Sequence, residues 1–227
     1  MTVSERAVTN LLDRYDELLA VALTDDRRLK RILTTQGKVV LALDGLQPDV
    51  GHEVLWVLRD CLSGEILLAK SLLSARQRDL AELLIAVKTA CPVPIIAVVS
   101  DGQHSSRSYW PGLFHCYDTP DLPRTNNDLE QAFGSHRYHE RRATGRKGAS
   151  PALVLRGSAR LVAGLGTRAG AGTAADLAGA DLEEWKRVRA ELEERRQRRV
   201  ERRRFRRDPE GYLKALENQL IQSRLPA

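Results

Sequence analysis

The chain has 227 residues, of which 42% are hydrophobic and 29% charged, with a formal net charge of +6. That composition suits one globular domain with an appendage, or two small domains, and excludes wholesale disorder. No apolar run approaches the ~20 residues of a membrane span, and the opening MTVSERAVTN lacks the basic-then-apolar order of a secretory signal. Cys61, Cys91 and Cys116 form no CxxC pair, so a disulfide framework and a zinc ribbon are both unsupported, and a reducing cytoplasm is the expected setting.

The charge is unevenly placed. Trp185–Arg207 holds 12 Lys/Arg against 4 Asp/Glu, whereas the rest of the chain holds 24 basic and 26 acidic residues. The basicity therefore belongs to the tail and says little about the globular part.

Residues 4–21 read as a helix, with Leu11, Leu12, Tyr15, Leu18 and Leu19 on one apolar stripe. A second helix follows from Asp25, a capping residue, to about Thr35, with Gly37 at its stop. Lys38–Leu43 is a strand ending in Asp44-Gly45; Val54–Leu58 and Glu65–Leu73 are two more, and the short connections predict an antiparallel meander. Residues 76–90 return to helical period. Ile95–Val99 is a strand apolar enough to predict a central place covered on both faces. Strands in hairpin order, then a helical crossover and another strand, predict an α/β fold with a mixed sheet and flanking helices.

Pro111, Pro120 and Pro123 break up the next stretch, where Phe114–Tyr117 is a candidate edge strand. A helix is expected from Asn127 toward Arg142, a basic loop over Thr144–Ser150 and another helix over 151–163. Residues 164–178 are rich in Gly, Ala and Thr, the composition of a flexible linker and not of a dinucleotide-binding fingerprint. A long charged helix runs from about Asp181 to Asp208-Pro209, and Tyr212–Ile221 is a short amphipathic helix. The expected organisation is an N-terminal helical segment (1–37), an α/β core (38–163), a linker (164–180) and an Arg-rich helical tail (181–227).

Two apolar strands end alike, Asp44-Gly45 after VVLAL and Asp101-Gly102 after IIAVVS, and Glu130 opens the helix after RTNND. If the strands are neighbours, both carboxylates project at one sheet edge. Carboxylate oxygens suit Mg²⁺, and paired ions activate an attacking oxygen and stabilise a leaving one in phosphoryl transfer. Simpler accounts exist: Asp-Gly is a turn signal, and Asn127-x-x-Glu130 is close to a capping box.

The segments KVVLALDGLQPDVGHEVLWVLRD, VVSDGQHSSR and LPRTNNDLEQAFGSHRYHERRATGRK resemble parts of bacterial insertion-sequence transposases of the DDE type, mobile-element enzymes with an RNase H-like catalytic domain. The resemblance covers roughly residues 4–163, and the Thr-Asn-Asn motif before the acid-bearing helix is its most specific part. It implies an RNase H-like sheet, with Asp44, Asp101 and Glu130 as catalytic and metal-holding acids. It also implies Mg²⁺ (or Mn²⁺) as cofactor, DNA as partner, and DNA cleavage with strand transfer in transposition. Against that pattern the chain reads as N-terminally shortened and internally deleted, with only 28 residues between Asp101 and Glu130.

Arg137, Arg141, Arg142, Arg146 and Lys147 follow the third acid and suit phosphate contacts; a solvated helix face is the plainer reading. Asn126 and Asn127 suit helix capping or a place near the metal. His136-x-x-His139 lacks a second pair at zinc-ligand spacing. Trp56 reads as core and Trp110 as a packed loop residue. In the tail, RRQRRVERRRFRR carries Arg195, Arg196, Arg198, Arg199, Arg202, Arg203 and Arg204, candidates for nucleic-acid binding without base readout. The readings are thus a transposase-like enzyme, or a catalytically inactive remnant that binds nucleic acid, forms homo-oligomers or engages a full-length transposase. No membrane association is expected.

Overall fold

The computed structural model describes residues 4–47, 53–72, 76–100, 127–145, 151–168, 170 and 172–224. Two compact units are present, Met1–Trp185 and Lys186–Ala227. In the first lie helices α1 (Glu5–Leu23) and α2 (Asp26–Gln36), strands β1 (Val39–Leu46), β2 (Val54–Asp60) and β3 (Ile66–Leu72), helix α3 (Gln77–Ala90), strand β4 (Ile95–Ser100), and helices α4 (Asn127–Thr144), α5 (Pro151–Arg168) and α6 (Ala174–Ala178). Helix α7 (Leu182–Arg207) starts in the first unit and continues into the second, which also holds α8 (Pro209–Arg224). No helix among the described residues is long and apolar enough to cross a membrane.

The sheet order is β3-β2-β1-β4. Strands β1, β2 and β3 form the antiparallel meander, and β4 pairs parallel to β1 after the α3 crossover. The α/β class with a mixed sheet and flanking helices therefore stands. Alternation along the strands divides the core in two. Val39, Leu41, Trp56 and Leu58 pack with Leu80, Leu83 and Val87 of α3 and Leu33 of α2. Val40, Ala42, Leu55 and Val57 are buried on the opposite face, where α4 packs against β1 and α5 against β3.

Local chemistry accounts for the joints. The Asp25 carboxylate accepts the Arg28 N–H at 2.8 Å to start α2, and Gly37, at φ 82°, ends it in the left-handed region open to glycine. Asp60 is fully buried at the end of β2. Its carboxylate accepts the Val40 N–H (3.1 Å), the Ser63 N–H (2.8 Å), the Ser63 hydroxyl (2.6 Å) and the Gln36 amide (2.8 Å). One acid thereby fixes the β2–β3 turn, the start of β1 and the end of α2. Arg28 grips Glu65 through two 2.7 Å hydrogen bonds, tying α2 to the residue before β3.

Four expectations are corrected. First, Asp44-Gly45 is not a turn: β1 runs through to Leu46, with Asp44 opposite Val57 and Gly45 opposite Trp56. A Cβ at Gly45 would lie 3.0 Å from Val54 and 3.1 Å from the Trp56 ring, so a larger residue there requires those side chains to give way. Second, β4 is the edge of the described sheet, and Ile96 (39%) and Val98 (56%) are exposed on one of its faces. Continuous apolar character thus does not give two-sided cover here.

Third, the supposed linker over 164–180 contains structure: α5 extends to Arg168 past a kink at Gly157 (φ 49°), and α6 opens with a Thr173–Asp176 capping box. Tyr15 of α1 donates its hydroxyl hydrogen to the Gly172 carbonyl (3.3 Å). Fourth, only the C-terminal part of the stripe assigned to α1 is covered: Leu19 is fully buried and Tyr15 and Leu18 are half-buried. Leu11 and Leu12 are 68% and 58% exposed, while Asp16 and Glu17 are buried with Leu19–Leu23. Arginines from α5 make that burial possible. The candidate strand Phe114–Tyr117 lies outside the described residues.

Candidate functional site

The acid-bearing positions are set by β1, β4 and α4. Asp44 is half-buried near the end of β1, and its carboxylate accepts the Gly45 N–H at 2.7 Å. Its register position falls on the same face as Val40, Ala42 and Val57, the face on which α4 packs against β1. The preceding residue, Leu43, pairs with Ser100, the last residue of β4. Asp101 follows Ser100 in sequence and lies outside the described residues, as do Asn126, Arg146, Lys147, Trp110, His104, His115 and Cys116.

Helix α4 buries Leu129, Phe133 and His136 on one face. At 3.6 residues per turn, Glu130, Arg137 and Arg141 fall together about 90° around the helix from that buried stripe. All three are exposed. This places a carboxylate and two guanidinium-bearing residues along one flank of the helix that packs on β1. Arg142 lies over the ring of Tyr138, 5.8 Å from its centroid, a cation–π contact on the outer side. Asn127 is the first helical residue, so Glu130 is the fourth and stands one position past the capping-box place.

Among the described residues no three His, Cys, Asp or Glu side chains gather as metal ligands. Asp44 and Glu130 contribute the hard oxygen donors that suit Mg²⁺. His136 is 2% exposed and packs against α5, where a Cβ on Gly164 would meet its ring at 2.9 Å. This histidine and a glycine of the stretch read as linker form one close contact between α4 and α5.

The sequence reading missed a buried charge network. Arg156 of α5 reaches the Asp13 carboxylate and carbonyl, Asp16 at 3.3 Å and Glu17 at 3.4 Å. Arg160 holds Asp16 at 2.8 Å, and the Trp185 indole N–H donates to Glu17 at 3.0 Å. Burial raises the pKa of the Asp16 carboxyl, against the lowering pull of Arg160 and Arg156. The available signal was the 13, 16, 17 spacing of acids on one side of α1, whose partners lie about 140 residues away.

The arginine candidates of the tail lie in the second unit. Glu194 pairs with Arg198 at 2.5 Å and Glu193 with Arg196 at 3.6 Å. Arg195, Arg199, Arg202 and Arg206 fall on one side of the helix, with Arg203 about 70° around from them and Arg204 on the far side. Partial burial, then the nearby charges of Arg203, Arg202 and Arg195, lower the pKa of Arg199. Such like-charge crowding is relieved by an anion.

No family model matches the chain, and no curated protein and no solved structure shows significant similarity to it.

Proposed function

We propose that the first unit is the RNase H-like core of a DDE-type transposase, a polynucleotidyl transferase acting on DNA in the cytoplasm. The observation that carries the reading is the strand arrangement: three antiparallel strands, a crossover helix and a fourth strand parallel to the first. In that arrangement Leu43 pairs with Ser100, and an acid follows each of them in sequence. The α4 helix, packed on β1, carries the third acid.

In this reading Asp44, Asp101 and Glu130 hold Mg²⁺, with Mn²⁺ as a substitute. The bound metal supplies Lewis acidity for in-line displacement at a phosphodiester. Arg137 and Arg141, on the same flank of α4 as Glu130, bind the phosphates on either side of the scissile one; Arg142, Arg146 and Lys147 extend the grip. Asn127, the first residue of α4, and Asn126, before it in sequence, are the residues that position nucleic-acid backbone or water near the metal in this reading. Hydrolysis breaks a P–O3′ bond with water as nucleophile; the freed 3′-hydroxyl then loses its proton and attacks a target phosphodiester, forming a new P–O3′ bond as the target's own P–O3′ bond breaks and its 3′-oxygen leaves as a hydroxyl. The test is nicking of supercoiled plasmid by the full chain. Mg²⁺- or Mn²⁺-dependent conversion to open circles, lost in Asp44→Asn, supports the reading; metal-independent nicking, or none, contradicts it.

A second reading is favoured by the crowded arginines of α7 and by the 28-residue interval between Asp101 and Glu130. It is a catalytically inactive remnant that binds nucleic acid, or pairs with itself or with a full-length transposase. That form binds DNA in a salt-sensitive way without cutting it.

A further inference from the structure

Within the second unit, helices α7 and α8 meet at Asp208-Pro209 and leave a cleft lined by Gln197, Glu201 and Arg204 on one side and Tyr212, Leu216 and Gln219 on the other. Those α7 residues face α8. At 100° per residue, Arg195, Arg199, Arg202 and Arg206 fall within about 60° of one another, on the side of α7 opposite the cleft. The row contains no acid. The only Asp or Glu between Arg195 and Arg207 is Glu201, on the cleft side. Glu193 and Glu194 engage Arg196 and Arg198, which flank the row.

We infer that this row docks the phosphate backbone of a nucleic-acid duplex. The inference rests on the nucleic-acid reading of the chain but is independent of the acidic site. Three observations select the partner. The first is reach: from Arg195 to Arg206 the row spans ~16 Å at 1.5 Å per residue, more than the ~12 Å width of a major groove. Guanidinium groups at its two ends thus meet phosphates on both rims.

The second is aromatic usage. Single-strand sites stack bases on open aromatic rings. The two aromatics of this unit, Phe205 and Tyr212, pack edge to face on each other with centroids 5.8 Å apart. The third is the missing apolar face. A helix lying on a lipid surface needs one, whereas Val200 and Phe205, the apolar residues between Arg195 and Arg207, stand about 140° apart around the helix and form no common face. The contact is made to phosphates, so it positions without reading sequence.

The experiment uses the full chain and fluorescence anisotropy with a labelled 30-base-pair DNA duplex, its single strand, and phosphatidylglycerol vesicles, across a salt series. Replacing all four row arginines by glutamine is expected to weaken duplex binding about 100-fold and to reduce the salt slope by about 3–4, near 0.9 for each phosphate no longer neutralised. Replacing all four by lysine keeps the charge and is expected to hold affinity within about fivefold, which separates a missing charge from a misfolded helix. Arg196→Gln with Arg198→Gln, on the flanks, is expected to cost less than about tenfold.

Equal losses from row and flank variants overturn the assignment of the row. Single-strand binding as tight as duplex binding overturns the duplex partner while leaving the nucleic-acid reading intact. Vesicle binding with no binding to either DNA overturns both.

Discussion

Arg156 and Arg199 are the same side chain put to opposite uses. Arg156 is buried between α1 and α5 against Asp13, Asp16 and Glu17, and it closes the fold around itself. Arg199 stands among Arg195, Arg202 and Arg203 on α7, where partial burial and then these neighbours disfavour its charge. In the first unit, opposite charges are gathered and dried, so they determine which helices meet. In the second, like charges are gathered along one side of a helix with no acid among them, so they determine what the chain attracts. Removing a charge should therefore cost folding in one unit and binding in the other.

The largest expected effect breaks the first half of that contrast. Arg156→Met removes the cation that Asp13, Asp16 and Glu17 share, leaving Arg160 as the remaining cation on Asp16, and is expected to lower unfolding stability by roughly 3–5 kcal/mol. Urea unfolding followed by tryptophan fluorescence measures it, since Trp56, Trp110 and Trp185 all lie in the first unit. Asp60→Ala removes the acceptor shared by Val40, Ser63 and Gln36 and is expected to cost about 3 kcal/mol in the same assay. Gly164→Ala places a methyl group at 2.9 Å from His136 and is expected to cost about 1–3 kcal/mol. No change on that substitution means α4 and α5 do not meet through this pair.

Asp16 sharpens the contrast through pH. Its pKa is raised in the fold above the ordinary 3.8, so the folded state binds more protons than the unfolded one between the two values. Its protonation contributes stability that is fully present below 3.8 and is lost as pH rises through the folded pKa. Compared with Asp16→Asn, the wild type is expected to gain relative stability as pH falls from 7 toward 4, read from urea midpoints at each pH. A gap that stays constant contradicts the raised pKa. The smallest effect belongs to the tail: Arg202→Ala is expected to change stability by less than about 0.5 kcal/mol while weakening duplex binding.

The order of elements was legible because it rests on period. The 3.6-residue spacing of Leu80, Leu83 and Val87 and the short apolar runs of β1–β4 need no partner to be read. What escaped depends on residues far away in the chain. Leu11 and Leu12 complete a stripe on paper, yet the buried face of α1 turns toward Arg156 and Arg160, whose pairing offsets the burial of Asp16 and Glu17. The glycines of residues 164–172 look like linker because composition cannot show that Gly164 meets His136 and Gly172 meets Tyr15. In the candidate site, Asp44 stands on β1 and Glu130 on the helix packed against it, a packing that neither motif carries. Gly45, read as a turn residue, instead clears room for Trp56. The buried network gave no motif, because acids at helical spacing look the same whether solvated or paired.

The most direct test of the acidic site is a Mn²⁺ titration by calorimetry on the wild type and on Asp44→Ala. Saturable binding in the wild type and its loss in the variant is the predicted result. Absence of saturable binding in both, or equal binding in both, would contradict a metal-holding role for Asp44 and with it the transposase reading.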